Sequence, residues 1–228
     1  MENQKSFLSM LQSLDAFFPI GAFTLSNGLE DYVARDRITS VSELQEYLAG
    51  FLQIFAYNDL GLLALAYQHA SDSEYLLKLD AFAGAMKTSS EVRTGCIKMC
   101  SRYIKARTAM KDCNGTLLWY QEQITKKVAA GFHPIALGIY AASVQIEEET
   151  LLEMYAYSAI SAIVNNAVKL VPLSQMEGQK VLFEMLEDLK TVIDLAGKID
   201  LKDLGVAGTA YEIHCMNHER LYSRLYMS

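Results

Sequence analysis

The stretch QMEGQKVLFEMLEDLKTVIDLA, residues 175–196, carries the clearest structural signal in the chain. Within it Val181, Leu182, Met185, Leu186, Leu189 and Ile193 recur three and four positions apart. That interval lines apolar side chains along one face of an α-helix, whereas a half-buried strand would alternate every second residue. Working outward, helical spacing also runs through 148–171, 135–145, 116–130, 90–111, 74–86 and 41–69, and strand-like alternation is scarce. Pro19, Pro134 and Pro172 stand at the edges of apolar segments, as expected of residues that cannot donate to a helix interior. Asn114 with Gly115, and the stretch 131–134, supply turns. Ser40 followed by Glu43 has the spacing of a capping box, so a long helix is expected from Val41. Gly50 and Gly61 weaken its middle, and Asn58 with Asp59 offers a place to split it. Glu147, Glu148 and Glu149 suit a helix start, where carboxylates meet the positive end of the helix dipole.

Of the 228 residues, 51% are hydrophobic. A chain of this size buries roughly 70% of the surface its unfolded form exposes, so one core suffices. No repeat, low-complexity run or linker marks a boundary. We therefore expect an all-α, single-domain bundle of about eight to ten helices over 1–228, with 209–228 as a C-terminal docking tail.

The longest apolar runs, 61–67 and 135–144, fall short of the roughly 20 residues that cross a bilayer, so no membrane span is expected. The opening residues lack a basic leader and a small-residue cleavage site, which suggests a cytoplasmic protein. A net charge of −7 would repel a phosphate backbone, so nucleic acid is not an expected partner. Cys96, Cys100, Cys113 and Cys215 form no paired knuckles and read as packed thiols in a reducing compartment.

Signatures of catalysis are missing. The chain has no phosphate-binding G-x-x-x-x-G-K-[ST] loop, no G-x-G-x-x-G, no H-E-x-x-H and no G-x-S-x-G. His214 and His218 stand one helical turn apart beside Cys215 and Glu219, a spacing open either to a transient metal site or to hydrogen bonding and packing. His69 and His133 read as turn or cap residues. On 90–111, Lys98, Arg102 and Lys105 share a face, which is either ordinary solvated surface or a docking surface for an acidic partner.

Three segments have unusual composition. FPIGAFTLSNGLE, residues 18–30, flanks Gly21 and Gly28 with apolar side chains, as at tight turns and close approaches. GFHP, residues 131–134, breaks a helix. HERLYSRLYMS, residues 218–228, sets arginines and tyrosines among leucines, the side chains that carry interface energy. Equally, Leu221, Tyr222 and Leu225 would serve to dock the tail on its own core.

The blocks LDAFFPIGAFTLSNGLE (14–30), GFHP (131–134), SAIVNNAVKLVPLSQ (161–175) and HERLYSRLYMS (218–228) resemble, in order and spacing, those of the UreF family of urease accessory proteins. The resemblance implies an all-α homodimer without catalytic residues. It further implies a scaffold that joins UreD (UreH in some systems) to the GTPase UreG, meets apo-urease and helps install nickel and carbon dioxide. Nickel would be handled by that complex, with no cofactor bound tightly to this chain. Motif positions imply partner-binding roles for Gly21, Phe23, Ser26, Gly28, Glu30, His133, Pro134, His218, Glu219, Arg220, Tyr222 and Arg224. Phe23 stands where the family also uses tyrosine, so any bond from that hydroxyl is absent here. Modulation of GTP hydrolysis by an arginine or by Glu30 is a further implication. The rivals are a helical metalloenzyme built on His214, His218 and a cysteine, and a free-standing nickel-binding chaperone.

Overall fold

The computed structural model describes residues 2–113 and 115–227. Asn114 of the expected turn and Ser228 at the end of the expected tail lie outside the described residues. Among those described there is no strand. The α-helices are α1 Glu2–Leu14, α2 Leu29–Ala34, α3 Val41–Phe55, α4 Gly61–Gln68, α5 Ser73–Met86 and α6 Ser90–Ala109, then α7 Gly115–Thr125, α8 His133–Ser143, α9 Glu148–Leu170, α10 Gln175–Glu184, α11 Leu186–Ala196 and α12 Thr209–His218. Short 3-10 turns occupy Ala22–Thr24 and Leu201–Asp203. A π turn, Ala56–Leu60, joins α3 to α4, and α10 meets α11 at Met185. Taking each of those pairs as one rod leaves ten, in keeping with the bundle expected from periodicity.

Helix starts follow local chemistry. At α3 the Ser40 hydroxyl accepts from the Glu43 amide at 3.4 Å, while Glu43 reaches back one residue further than expected, to the Thr39 amide at 2.7 Å. The Thr39 amide and hydroxyl and the Ser40 hydroxyl, all donating to it, hold the Glu43 carboxyl below its ordinary range. Fully reciprocal boxes sit instead at α10, where Ser174 and Glu177 satisfy each other's amides, and at the Leu201–Asp203 turn, where Asp200 and Asp203 do the same. The Asn58–Asp59 break proves to be the π turn, with Asn58 in non-helical conformation and its side-chain amide donating to the Ile54 carbonyl at 2.8 Å.

At the centre α4 crosses α8. Gly61–Ala66 are buried, as is every residue from His133 to Ala141. Gly138 makes the approach: a β-carbon there would lie 2.8 Å from the Leu63 carbonyl oxygen and 2.9 Å from the Tyr67 amide nitrogen. The run Val41–Gln68 is long and apolar enough to span a membrane, but 61% of its most apolar window is buried inside the bundle. It is a core rod.

The GFHP break is held from α5. Asp80, buried, accepts the Ala130 and Gly131 amides at 2.7 and 2.9 Å and the Tyr120 hydroxyl at 2.5 Å. Gly131 takes φ 88°, and Pro134 occupies the first turn of α8, where its missing amide costs nothing. On α6, Lys98, Arg102 and Lys105 face outward while a further cation does not. Arg107 turns inward, 1% exposed, over the rings of Tyr140, Phe18 and Tyr103, and donates to the Ser9 carbonyl at 2.9 Å, fastening α1 to the body.

Candidate functional site

The N-terminal loop lies along α6. Arg102 donates to the Ile20 carbonyl at 3.1 Å and its guanidinium covers Gly21, where a β-carbon would come within 2.5 Å of it. Further along, Leu25 packs on Gly95, and Asn166 of α9 donates to the Leu25 carbonyl at 3.1 Å. Phe18 and Ile20 are buried while Phe23, on the 3-10 turn, is 54% exposed. Gly28 starts α2 with φ 80°, and a β-carbon there would meet Cys215 of α12 at 3.1 Å. That contact lets α12 cross directly over the loop's end.

Glu30 and Asp31, the first acidic residues of α2, are both buried. The pair on α12 meets them in turn. His214 Nδ1 lies 2.6 Å from Asp31 Oδ2, with its ring stacked 3.5 Å from that of Tyr32. His218 Nε2 lies 2.9 Å from Glu30 Oε2, and its Nδ1 lies 2.7 Å from Glu91 Oε2 on α6. A neutral imidazole carries one N–H, so both contacts are hydrogen bonds only when both nitrogens are protonated. In that state Glu30, Glu91, His218 and Arg224 sum to zero charge, which suits a ring that is fully buried.

Beyond α12 the chain folds back over the loop. The Leu225 amide donates to Glu30 Oε1 at 2.6 Å and the Tyr226 amide to Glu30 Oε2 at 3.2 Å. Arg224 donates to Glu91 Oε1 at 2.5 Å, and the Met227 amide donates to the Thr24 carbonyl at 2.7 Å. Ser90 donates to Glu219, closing the start of the tail on α6. The tail is therefore fastened by backbone and charge. Its apolar side chains point away: Tyr222 is fully exposed, Leu225 70% and Met227 44%. Of the three residues read as docking the tail on its own core, Tyr222 and Leu225 stay exposed and Leu221 is half-buried, while the tail backbone is held by the Glu30 carboxylate.

The sequence-expected residues thus separate into two groups. Gly21, Phe23, Ser26, Gly28, Glu30, His218, Glu219 and Arg224 converge on the loop and tail, with Tyr222 and Arg220 on their outer face. His133 and Pro134 lie apart from them, at the start of α8. Both are buried in the core of the body. Glu91, Asp31 and Asn166 were not legible as site residues. Their local sequence shows only a helix-start carboxylate, a neighbour of Glu30 and a mid-helix amide.

Burial pushes the Cys215 and Cys96 thiols up to about 12, so neither supplies a thiolate near neutrality. Tyr226 is raised by burial and then by Glu30, and keeps its proton. Among the described residues no three of His, Cys, Asp and Glu converge as metal ligands. His214 and His218 turn to separate carboxylates.

Comparison with known proteins gives this geometry its context. The UreF family profile matches residues 38–186, and proteins named urease accessory protein UreF match nearly end to end. The chain belongs to the UreF family. One UreF relative, from Actinobacillus pleuropneumoniae serotype 5b (strain L20), is 36% identical over 96% of this chain and 98% of its own length. Another, from Haemophilus influenzae (strain PittGG), is 35% identical over 96% of this chain and 94% of its own. A third, from Bacillus sp. (strain TB-90), is 32% identical over 97% and 98% respectively. Membership of the UreF family places the chain among urease accessory proteins, with a role in urease maturation. The profile match covers neither the 18–30 loop nor the tail, whereas the three full-length alignments leave room for few of those residues to be missing.

Proposed function

We propose that this chain is a non-catalytic adaptor of urease maturation, whose N-terminal loop and C-terminal tail form one recognition surface for UreD and the GTPase UreG. The observation that carries the reading is the seating of 224–227 on Glu30, Glu91 and Thr24, which brings exposed Met227 to the loop turn that carries exposed Phe23, with Tyr222 and Leu225 exposed on the same tail. Exposed aromatic and apolar groups held in a fixed arrangement bind with less ordering cost than a free tail. UreD stabilises the seated tail, and the seated tail completes the surface that UreG reads. Coupling of about 1–3 kcal/mol is enough to change affinity for UreG by roughly 5- to 150-fold.

In this reading the protein works in the cytoplasm as a homodimer and meets apo-urease as part of the complex. Nickel is cargo of that complex, no cofactor is held tightly by this chain, and neither nucleic acid nor membrane is a partner. Of the tail arginines, Arg224 is engaged with Glu91 and Arg220 is exposed, so any direct action of the tail on GTP hydrolysis falls to Arg220. A GTPase assay of UreG with wild type and Arg220→Ala tests that point. The main test is co-purification: wild type with UreD retains UreG, and Arg224→Ala retains less with unchanged helical content. Equal retention of UreG by the variant sinks the coupled-tail reading, and failure of wild type to bind UreD sinks the adaptor reading.

A further inference from the structure

The tail surface leaves the cation run of α6 without a role. Lys98, Arg102 and Lys105 are all exposed, in a molecule of net charge −7. Among the described residues no ion pair engages any of the three, although Lys126, Lys180 and Lys202 elsewhere each sit within 4 Å of a carboxylate. Glu91, the acidic residue of the same helix, is held by His218 and Arg224. The stripe spans about 10 Å at the rise of an α-helix. It runs beside the N-terminal loop: Gly21 lies against Arg102 and Leu25 against Gly95, so the loop passes the level of Lys98 with Phe23 exposed on its crest.

We infer that the Lys98–Arg102–Lys105 face of α6, with Phe23 at its border, is a docking surface for an acidic face of a folded protein partner. Charge complementarity argues for that occupant. Three uncompensated cations in a row concentrate positive potential on one side of an otherwise acidic molecule, which steers an acidic partner into one orientation. The exposed ring supplies the short-range apolar contact that a charge stripe lacks. Steering fixes encounter, and the loop and tail then fix the complex. This inference rests on the adaptor reading and adds a second patch to its surface.

The test measures association rates of the full chain with purified UreD and with purified UreG across ionic strength. Lys98→Glu with Lys105→Glu is compared with Lys180→Glu with Lys190→Glu on α10 and α11, which changes the total charge equally. Arg102 is left alone because it holds the loop. The α6 double variant associates about tenfold or more slowly with one of the two proteins at low salt, the control pair changes by less than about twofold, and the difference closes near 0.5 M salt. Lys98→Ala with Lys105→Ala shows a smaller loss of the same kind, and thermal melts confirm that both α6 variants fold. Equal slowing by the control pair, or no slowing with either protein, overturns the docking surface while leaving the adaptor reading intact. Wild type that binds neither protein overturns both. Flotation with phosphatidylserine vesicles that is lost in the α6 variant overturns it in favour of a lipid surface.

Discussion

Glu30 is the residue on which the two chain ends meet. Its carboxylate accepts two tail amides and faces a buried imidazole, so an amide in its place keeps the shape and loses the charge that strengthens all three contacts. Glu30→Gln is expected to weaken tail seating by about 1–3 kcal/mol. Trypsin then cuts after Arg224 or Arg220 roughly tenfold faster, following the open population, and unchanged cutting would show that Glu30 is not the anchor. A second residue-scale expectation concerns His133, whose ring nitrogens have no hydrogen-bond partner and whose pKa burial lowers from 6.5 to about 4. Between those values the unfolded chain binds a proton that the folded chain refuses, so stability falls as pH drops from 6.5 towards 4. The full effect is about 3 kcal/mol. His133→Leu removes this component, and melts of wild type and variant between pH 4 and 7 should diverge in slope accordingly; parallel slopes would refute the assignment.

At the scale of elements, two helix-interior glycines look alike in sequence and differ in space. A β-carbon at Gly50 of α3 meets nothing within 4 Å, so Gly50→Ala should gain about 0.5–1 kcal/mol of helix propensity in urea unfolding. At Gly138 of α8 the same methyl group meets backbone atoms of α4, which cannot rotate away. Gly138→Ala should cost about 2 kcal/mol despite the better propensity. Opposite signs for the two substitutions are the expected result, and a stabilised Gly138→Ala would mean that α4 and α8 are not the tight central pair. Periodicity located the rods of 41–69, 74–86, 90–111, 148–171 and 175–196 to within a few residues because each buries one face. It gave no warning of α2, six residues long, whose existence depends on α12 covering Gly28 and on partners for two buried carboxylates.

For the whole molecule, the tail adds surface and no regular structure beyond His218. Truncation after His218 should therefore leave the far-ultraviolet dichroism nearly unchanged while abolishing retention of UreG in the presence of UreD. Loss of helix on truncation would indicate that 219–227 supports the bundle itself, and full retention of UreG would remove the tail from recognition. The candidate site was legible in sequence as two odd segments at opposite ends, through glycines flanked by apolar groups and arginines set among tyrosines. Its wiring was not. Glu91 sits in the first turn of α6, where an acidic residue is ordinary, and nothing local pairs it with a histidine 127 positions later.

The sequence by itself determined an all-helical chain with one core, because apolar spacing fixes which face of each helix leaves water. It also marked the two end segments as unusual in composition. Tertiary structure alone decided that His214 and His218 meet carboxylates, that His133 and Pro134 belong to the core, and that the tail lies on the loop. Those outcomes depend on distances between residues far apart in the chain, and a periodicity of three or four residues holds no information about which helix faces which.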